Sequence, residues 1–153
     1  MPCYSAAIQN LLTFSVETPV EEALAAMKEK DCRSAPVLDA EGRVIGVFSV
    51  RILLKNLLPV SVAVQDGLHL DTTVAAAPGV AKRLRKIETL KVGDIMERKF
   101  VSVYPETPVW EAVNLIVQHG APVMVEDHES GCLLGLISEQ SLLDELQRMQ
   151  DQA

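Results

Sequence analysis

Glu17-Thr18-Pro19-Val20-Glu21-Glu22-Ala23 returns 89 residues later as Glu106-Thr107-Pro108-Val109-Trp110-Glu111-Ala112, and that recurrence decides the fold. Gly46, Ser49 and Leu53-Leu54 are matched by Gly135, Ser138 and Leu142-Leu143 at the same spacing. Ala35-Pro36-Val37 is matched by Ala121-Pro122-Val123 at a spacing of 86. The second copy therefore reads as losing three residues before its Ala-Pro-Val and regaining three before its glycine, as loops allow.

Each copy spells the same string of elements. Residues 11–14 and 100–103 have the β-branched or aromatic character of short strands. A helix follows, with Thr18 or Thr107 at the N-cap, Pro19 or Pro108 at the first helical position and a glutamate in the opening turn. Its apolar face is Val20, Ala23, Leu24 and Met27 in one copy and Val109, Ala112, Val113 and Ile116 in the other, the period of a half-buried helix. Strands over 35–38 and 44–48 are joined by Asp39-Ala40-Glu41-Gly42. Strands over 122–125 and 133–137 are joined by the longer Glu126-Asp127-His128-Glu129-Ser130-Gly131. Closing helices cover 50–58 and 139–149. A β-α-β-β-α unit of this size cannot bury its own apolar faces, whereas two packed about a pseudo-twofold axis can. The organisation expected is an α/β (α+β) fold with copies at 3–58 and 92–149. They are separated by a 59–91 connector carrying turn signals at Asp66-Gly67 and Pro78-Gly79 and a helical piece with Lys82, Arg83, Arg85 and Lys86.

Composition narrows the function. The 153 residues carry 14 Lys+Arg against 21 Asp+Glu, a net charge of −7, with 48% hydrophobic and 23% charged residues. That excludes wholesale disorder and argues against gripping a nucleic-acid backbone, which needs a basic footprint. No stretch approaches the ~20 apolar residues of a membrane span, and the N-terminus lacks a signal peptide's cationic start, its first charge being Glu17. Cys3, Cys32 and Cys132 are odd in number and lack metal-ligand spacing, so they read as free buried thiols in a reducing compartment, the cytoplasm.

On these motifs both copies resemble the CBS domain, and the pair resembles a Bateman module. The resemblance is carried by the Pro-Val helix start, the small-Pro-Val strand and the glycine turns Gly46-Val47-Phe48-Ser49 and Gly135-Leu136-Ile137-Ser138. Val92-Gly93-Asp94-Ile95-Met96 is similar to the short segment that opens a family repeat. The resemblance implies a non-catalytic sensor that binds adenosine derivatives (AMP, ADP, ATP or S-adenosylmethionine) between the repeats. It also implies a homodimer and an effector protein that reads the ligand state, with no cofactor required and no metal.

Physical reasoning places the ligand where a strand hands over to a helix, because free backbone N–H groups and a hydroxyl meet there. The better site is expected at Ser138, Ser141, Gly120, Ala121, Pro122, Ser102 and Val103, and a weaker one at Ser49, Ser34, Ala35 and Pro36. Lys82, Arg83 or Arg85 is either a solvated helix face or a phosphate contact, with nucleic-acid binding last given the acidic balance. The family pattern has an acidic residue three places after each serine, accepting from the ribose hydroxyls; this chain has Ile52 and Ser141 there. The loss of a charge-assisted bond costs about 1.5–3 kcal/mol. A degenerate pair acting as a dimerisation or docking platform is the alternative.

The remaining polar residues read as structure. Asp127-His128-Glu129 suits a solvated loop, and His119 before Gly120 suits a helix end. His69 beside Asp71 has no nucleophile elbow, and there is no Walker loop, G-x-G-x-x-G or CxxC. Trp110 lies just off its helix's apolar stripe, as a core-edge residue or a dimer contact.

Overall fold

The computed structural model describes residues 2–58 and 79–152; Asp66-Gly67, His69, Asp71, Pro78 and most of the expected connector lie outside them. After a single 3-10 turn at Cys3–Ala6 come α1 (Val20–Glu29), β1 (Ser34–Leu38), β2 (Val44–Ser49) and α2 (Val50–Leu57). Then follow α3 (Val80–Glu88), α4 (Val92–Ile95), β3 (Val101–Val103), α5 (Val109–His119), β4 (Val123–Glu126), β5 (Leu133–Ile137) and α6 (Glu139–Gln152).

The helix starts differ from expectation by one residue. Pro19 and Pro108 are themselves the N-caps, and α1 and α5 begin at the following valines. The threonine hydroxyls look backwards instead: Thr18 Oγ1 accepts from the Ser15 N–H and Thr107 Oγ1 from the Tyr104 N–H, each at 3.1 Å. They fold the chain into the turn that delivers it to the helix. Val20, Ala23 and Met27 of α1, and Val109 and Ala112 of α5, are buried as the period requires.

β1 and β2 form one antiparallel hairpin and β4 and β5 the other, with bulges at Val37/Leu38 and Val125/Glu126. Their registers correct the repeat alignment. Ala35 pairs with Phe48 and Val37 with Gly46, whereas in the second copy Val123 pairs with Ile137 and Val125 with Gly135. Ala35 therefore corresponds to Val123, not Ala121, and Ala121-Pro122 sits just ahead of its strand while Ala35-Pro36 sits inside one. A slip of two leaves every side chain on the same face, so the alternation of apolar residues gives no sign of it.

The slip explains a second difference. β3 runs parallel to β4 over three residue pairs, Val101 with Val123 to Val103 with Val125. The expected strand over 11–14 is reduced to a single bridge from Phe14 to Val37, in which Phe14 donates to the Pro36 carbonyl and Leu38 donates to the Phe14 carbonyl. Lengthening that ladder toward Leu12 requires an N–H from residue 36, and proline has none; Met124 occupies the corresponding place in β4.

The opening segment of each copy crosses to the other. Val92 donates to the Thr18 carbonyl at 2.8 Å and Cys3 to the Thr107 carbonyl at 2.7 Å; Gly93 donates to Val16 and Tyr4 to Pro105. Val47 and Glu97 exchange two backbone hydrogen bonds, as do Ile8 and Leu136. Each pair of contacts is related by the 89-residue spacing, so the pseudo-twofold is carried by backbone.

Three apolar clusters follow. One holds Phe48 and Met27 with Val92, Ile95 and Met96 from the crossing segment; another holds Ile137 and Ala112 with Cys3 and Ala6. The third, Val44, Val47, Met124 and Leu136, joins the two sheets. At its rim the hairpin loops meet, Leu133 donating to the Gly42 carbonyl and Arg43 Nε to the Ser130 carbonyl. Of the three free cysteines only Cys3 is buried; Cys32 and Cys132 are half-buried.

Candidate functional site

A cleft of about 1200 Å³ opens between the copies, and the strand-to-helix junctions of both face it. Ser49 and Ser138 line it, and each hydroxyl oxygen accepts from the backbone N–H three residues on, Ile52 at 3.1 Å and Ser141 at 3.0 Å. Each serine is thus the N-cap of its closing helix, with its hydroxyl proton uncommitted among the described residues. Ser141 is engaged on both sides: its oxygen accepts from the Ser138 N–H at 2.9 Å and its proton goes to the Ser138 carbonyl. It completes a reciprocal capping box and does not line the cleft.

The other expected residues divide between cleft and core. Ser34, Pro36, Gly120, Ala121 and Pro122 line the cleft. Ala35 and Val103 are buried in the two larger apolar clusters, each of which includes the other copy's crossing segment, and Ser102 is exposed elsewhere; the adjacent Val101 faces the cleft instead. The alternation of a strand turns 101 and 103 to one side and 102 to the other, but the crossing segment covers Val103 and leaves Val101 at the opening. Gly120 caps α5 with φ +84° and ψ 166°, an extended conformation reserved for glycine rather than the left-handed helical cap expected. His119 also reaches the cleft.

Lys82, Arg83 and Arg85 lie on the exposed side of α3, whose Ile87 packs into the first copy's core, and they do not line the cleft. The cations that do are Lys30, Arg33, Arg51 and Lys99. Among the described residues none of the four pairs with a carboxylate. Asp31, Glu97 and Glu139 are the cleft's carboxylates. Sequence reasoning missed these charges, although Arg33 immediately precedes Ser34 and Arg51 lies two residues after the Ser49 cap. The fold gathers them, since Val50 donates to the Arg33 carbonyl at 2.9 Å and so seats Arg33 beside the start of α2. Burial pushes the Cys32 thiol in the cleft wall up, away from a reactive thiolate.

Outside the cleft, His128 stacks on Tyr104 with ring centroids 3.8 Å apart and contacts Glu106, while Asp127 accepts from the Ser130 N–H and hydroxyl. These bonds hold the Asp127 carboxyl below its ordinary range. The loop is exposed, as its sequence suggests, but pinned to the end of β3. Among the described residues no cluster of His, Cys, Asp and Glu has a metal-holding arrangement, and no helix is long and apolar enough to cross a membrane. Trp110 is 66% exposed on the outer side of α5.

Two pseudo-symmetric units share one cleft, each a helix, a hairpin and a closing helix, with a strand ahead of the helix in the second copy and a single bridge in its place in the first, and they define a tandem-repeat module of the Bateman type. The CBS-domain family model matches residues 5–59 and 92–148, and the chain belongs to that family. The solved structure of the CBS-pair protein CBSX2 of Arabidopsis thaliana is similar in fold, with a TM-score of 0.78 at 21% identity over 99% of this chain and 98% of that one. A structure of CBSX2 in complex with AMP gives 0.72 at 22% identity over 97% and 98%. A CBS domain-containing protein of Dictyostelium discoideum is 28% identical over 89% of this chain and 84% of its own length. An A-adding tRNA nucleotidyltransferase of Aquifex aeolicus is 24% identical over 89% of this chain, which spans only 13% of that enzyme's length.

Proposed function

We propose that the chain is a non-catalytic regulatory module that binds an adenosine-type ligand, AMP, ADP, ATP or S-adenosylmethionine, in the cleft between its copies. The repeats are 3–58 and 92–149, with 59–91 as connector; no cofactor or metal is required. Occupancy biases the arrangement of the two copies, and a cytoplasmic effector protein reads that bias from a homodimer. The observation that carries this reading is the single cleft onto which Ser49, Pro36, Ser138 and Pro122 converge. Its apolar prolines and capped helix starts suit a purine face and polar groups beside it. The AMP complex of CBSX2, a protein of the same fold, points the same way.

The test is a thermal-shift panel of these four ligands on the intact chain. A ligand at a hundred times its Kd adds about 2.7 kcal/mol, a rise of roughly 5–10 °C for a domain of this size. Ser49→Ala/Ser138→Ala removes both cleft-lining hydroxyls, at a cost in helix capping, and should weaken binding about tenfold. A flat panel with the wild-type protein overturns the reading. It would favour a ligand-free docking platform, for which the apolar Ile52 and the committed Ser141 hydroxyl argue.

A further inference from the structure

The two halves of the cleft are alike in backbone and unlike in charge. By the strand registers Arg33 corresponds to Ala121, and by the 89-residue spacing of the serine caps Arg51 corresponds to Gln140 and Val50 to Glu139. The first half thus presents two guanidinium groups beside the Ser49 cap, with Lys30 on the same loop. The second presents a neutral residue, an amide and a carboxylate around the Ser138 cap, with His119 at the end of α5 where the first copy has Asp31. The carboxylate on the first side is Asp31, next to Lys30. Lys99 and Glu97 lie on the crossing segment, which joins the first copy at Val47 before entering β3, and they offset one another.

We infer that the cleft takes one phosphorylated ligand in a fixed direction, its phosphate at Arg33 and Arg51 and its uncharged end against Pro122 and Ser138. Guanidinium groups are suited to this because they meet phosphate oxygens bidentately and stay charged at any working pH. Two of them without carboxylate partners are held close by the Val50-to-Arg33 hydrogen bond. Glu139 repels a phosphate from the other half, so a nucleotide binding in reverse would trade two attractions for one repulsion. This inference rests on the proposed ligand reading and adds to it a polarity that the backbone symmetry does not contain.

The experiment is calorimetric titration of the full chain, wild type and Arg33→Met/Arg51→Met, with AMP and with adenosine at low and moderate salt. Wild type should prefer AMP to adenosine by about tenfold to a hundredfold per arginine–phosphate contact, and less at higher salt. The double variant should lose that preference while keeping the adenosine affinity. Arg33→Lys/Arg51→Lys, which keeps the charges, should retain most of it. Glu139→Gln should leave adenosine binding intact and tighten AMP. A double methionine variant that still prefers AMP overturns the polarity, as does loss of the preference in Lys82→Ala/Arg83→Ala/Arg85→Ala instead; in both cases nucleotide binding itself stands. Wild-type protein that binds neither ligand overturns the underlying reading, and the polarity with it.

Discussion

Gly135→Ala should detach the N-terminal segment from the second copy without unfolding its hairpin. A methyl group at 135 falls 2.9 Å from the Ala7 Cβ and 3.1 Å from the Ile8 carbonyl oxygen, where about 3.4 Å or more is ordinary. The obstructing atoms are a short side chain and backbone, so the whole segment must retreat. Overpacking of this kind costs about 1–3 kcal/mol, and the loss of glycine's freedom in the unfolded chain returns about 0.4–1 kcal/mol. The net of about 0–2.6 kcal/mol lowers Tm by up to roughly 10 °C for a chain of this size. Amide exchange locates the effect: Ile8 and Leu136, which exchange hydrogen bonds of 2.8 and 3.0 Å, should lose protection first. The symmetry supplies an internal control. Gly46→Ala meets Met96 Sδ at 2.7 Å and the Glu97 carbonyl at 2.9 Å, and should release Val47 and Glu97 instead. Gly42→Ala meets nothing nearer than Cys132 Sγ at 3.6 Å but sits at φ +85°, so it should destabilise the hairpin turn and leave both crossing pairs protected. A Gly135→Ala protein whose Tm rises, with Ile8 and Leu136 still protected, refutes the crossing arrangement.

Two further outcomes follow from the core and from burial. Phe48 is fully buried, edge-on to Phe14 at 6.1 Å between ring centroids, so Phe48→Ala should cost about 3–5 kcal/mol in urea unfolding and Phe48→Leu far less. Burial pushes the Glu126 carboxyl up. A carboxyl whose folded pKa exceeds its unfolded one favours folding at low pH and loses that contribution as pH rises toward the folded value. Glu126→Gln should therefore raise Tm slightly at pH 7 and leave it unchanged well below the ordinary carboxylate range, where the carboxyl is protonated in folded and unfolded chains alike; the same gain at both values rules out the titration as its cause.

The duplicated Thr-Pro-Val, the helix periodicity and the turn residues determined by themselves that two copies of a helix, hairpin and closing helix exist and which helix faces are buried, because those signals act within a few residues along the chain. They also located the two serine caps and the prolines that border the cleft. Tertiary structure decided the rest. Cys3 with Ala6 and Val92 with Ile95 share only a pair of small or apolar residues three apart, and the hydrogen bonds that carry each segment to the other copy are backbone ones, so the crossing was illegible in the sequence. The two-residue slip of Ala121-Pro122 preserves the in-and-out alternation of its strand and leaves no trace in apolar spacing. Ser141 could be read as a ligand contact until its hydroxyl was seen closing a capping box. Charge is the sharpest case: Lys82, Arg83 and Arg85 form the conspicuous cluster along the chain, yet the cleft is lined by Lys30, Arg33, Arg51 and Lys99. Lys30 and Arg33 share a loop that the Val50-to-Arg33 hydrogen bond draws against the start of α2 and Arg51, and Lys99 comes from the crossing segment of the other copy.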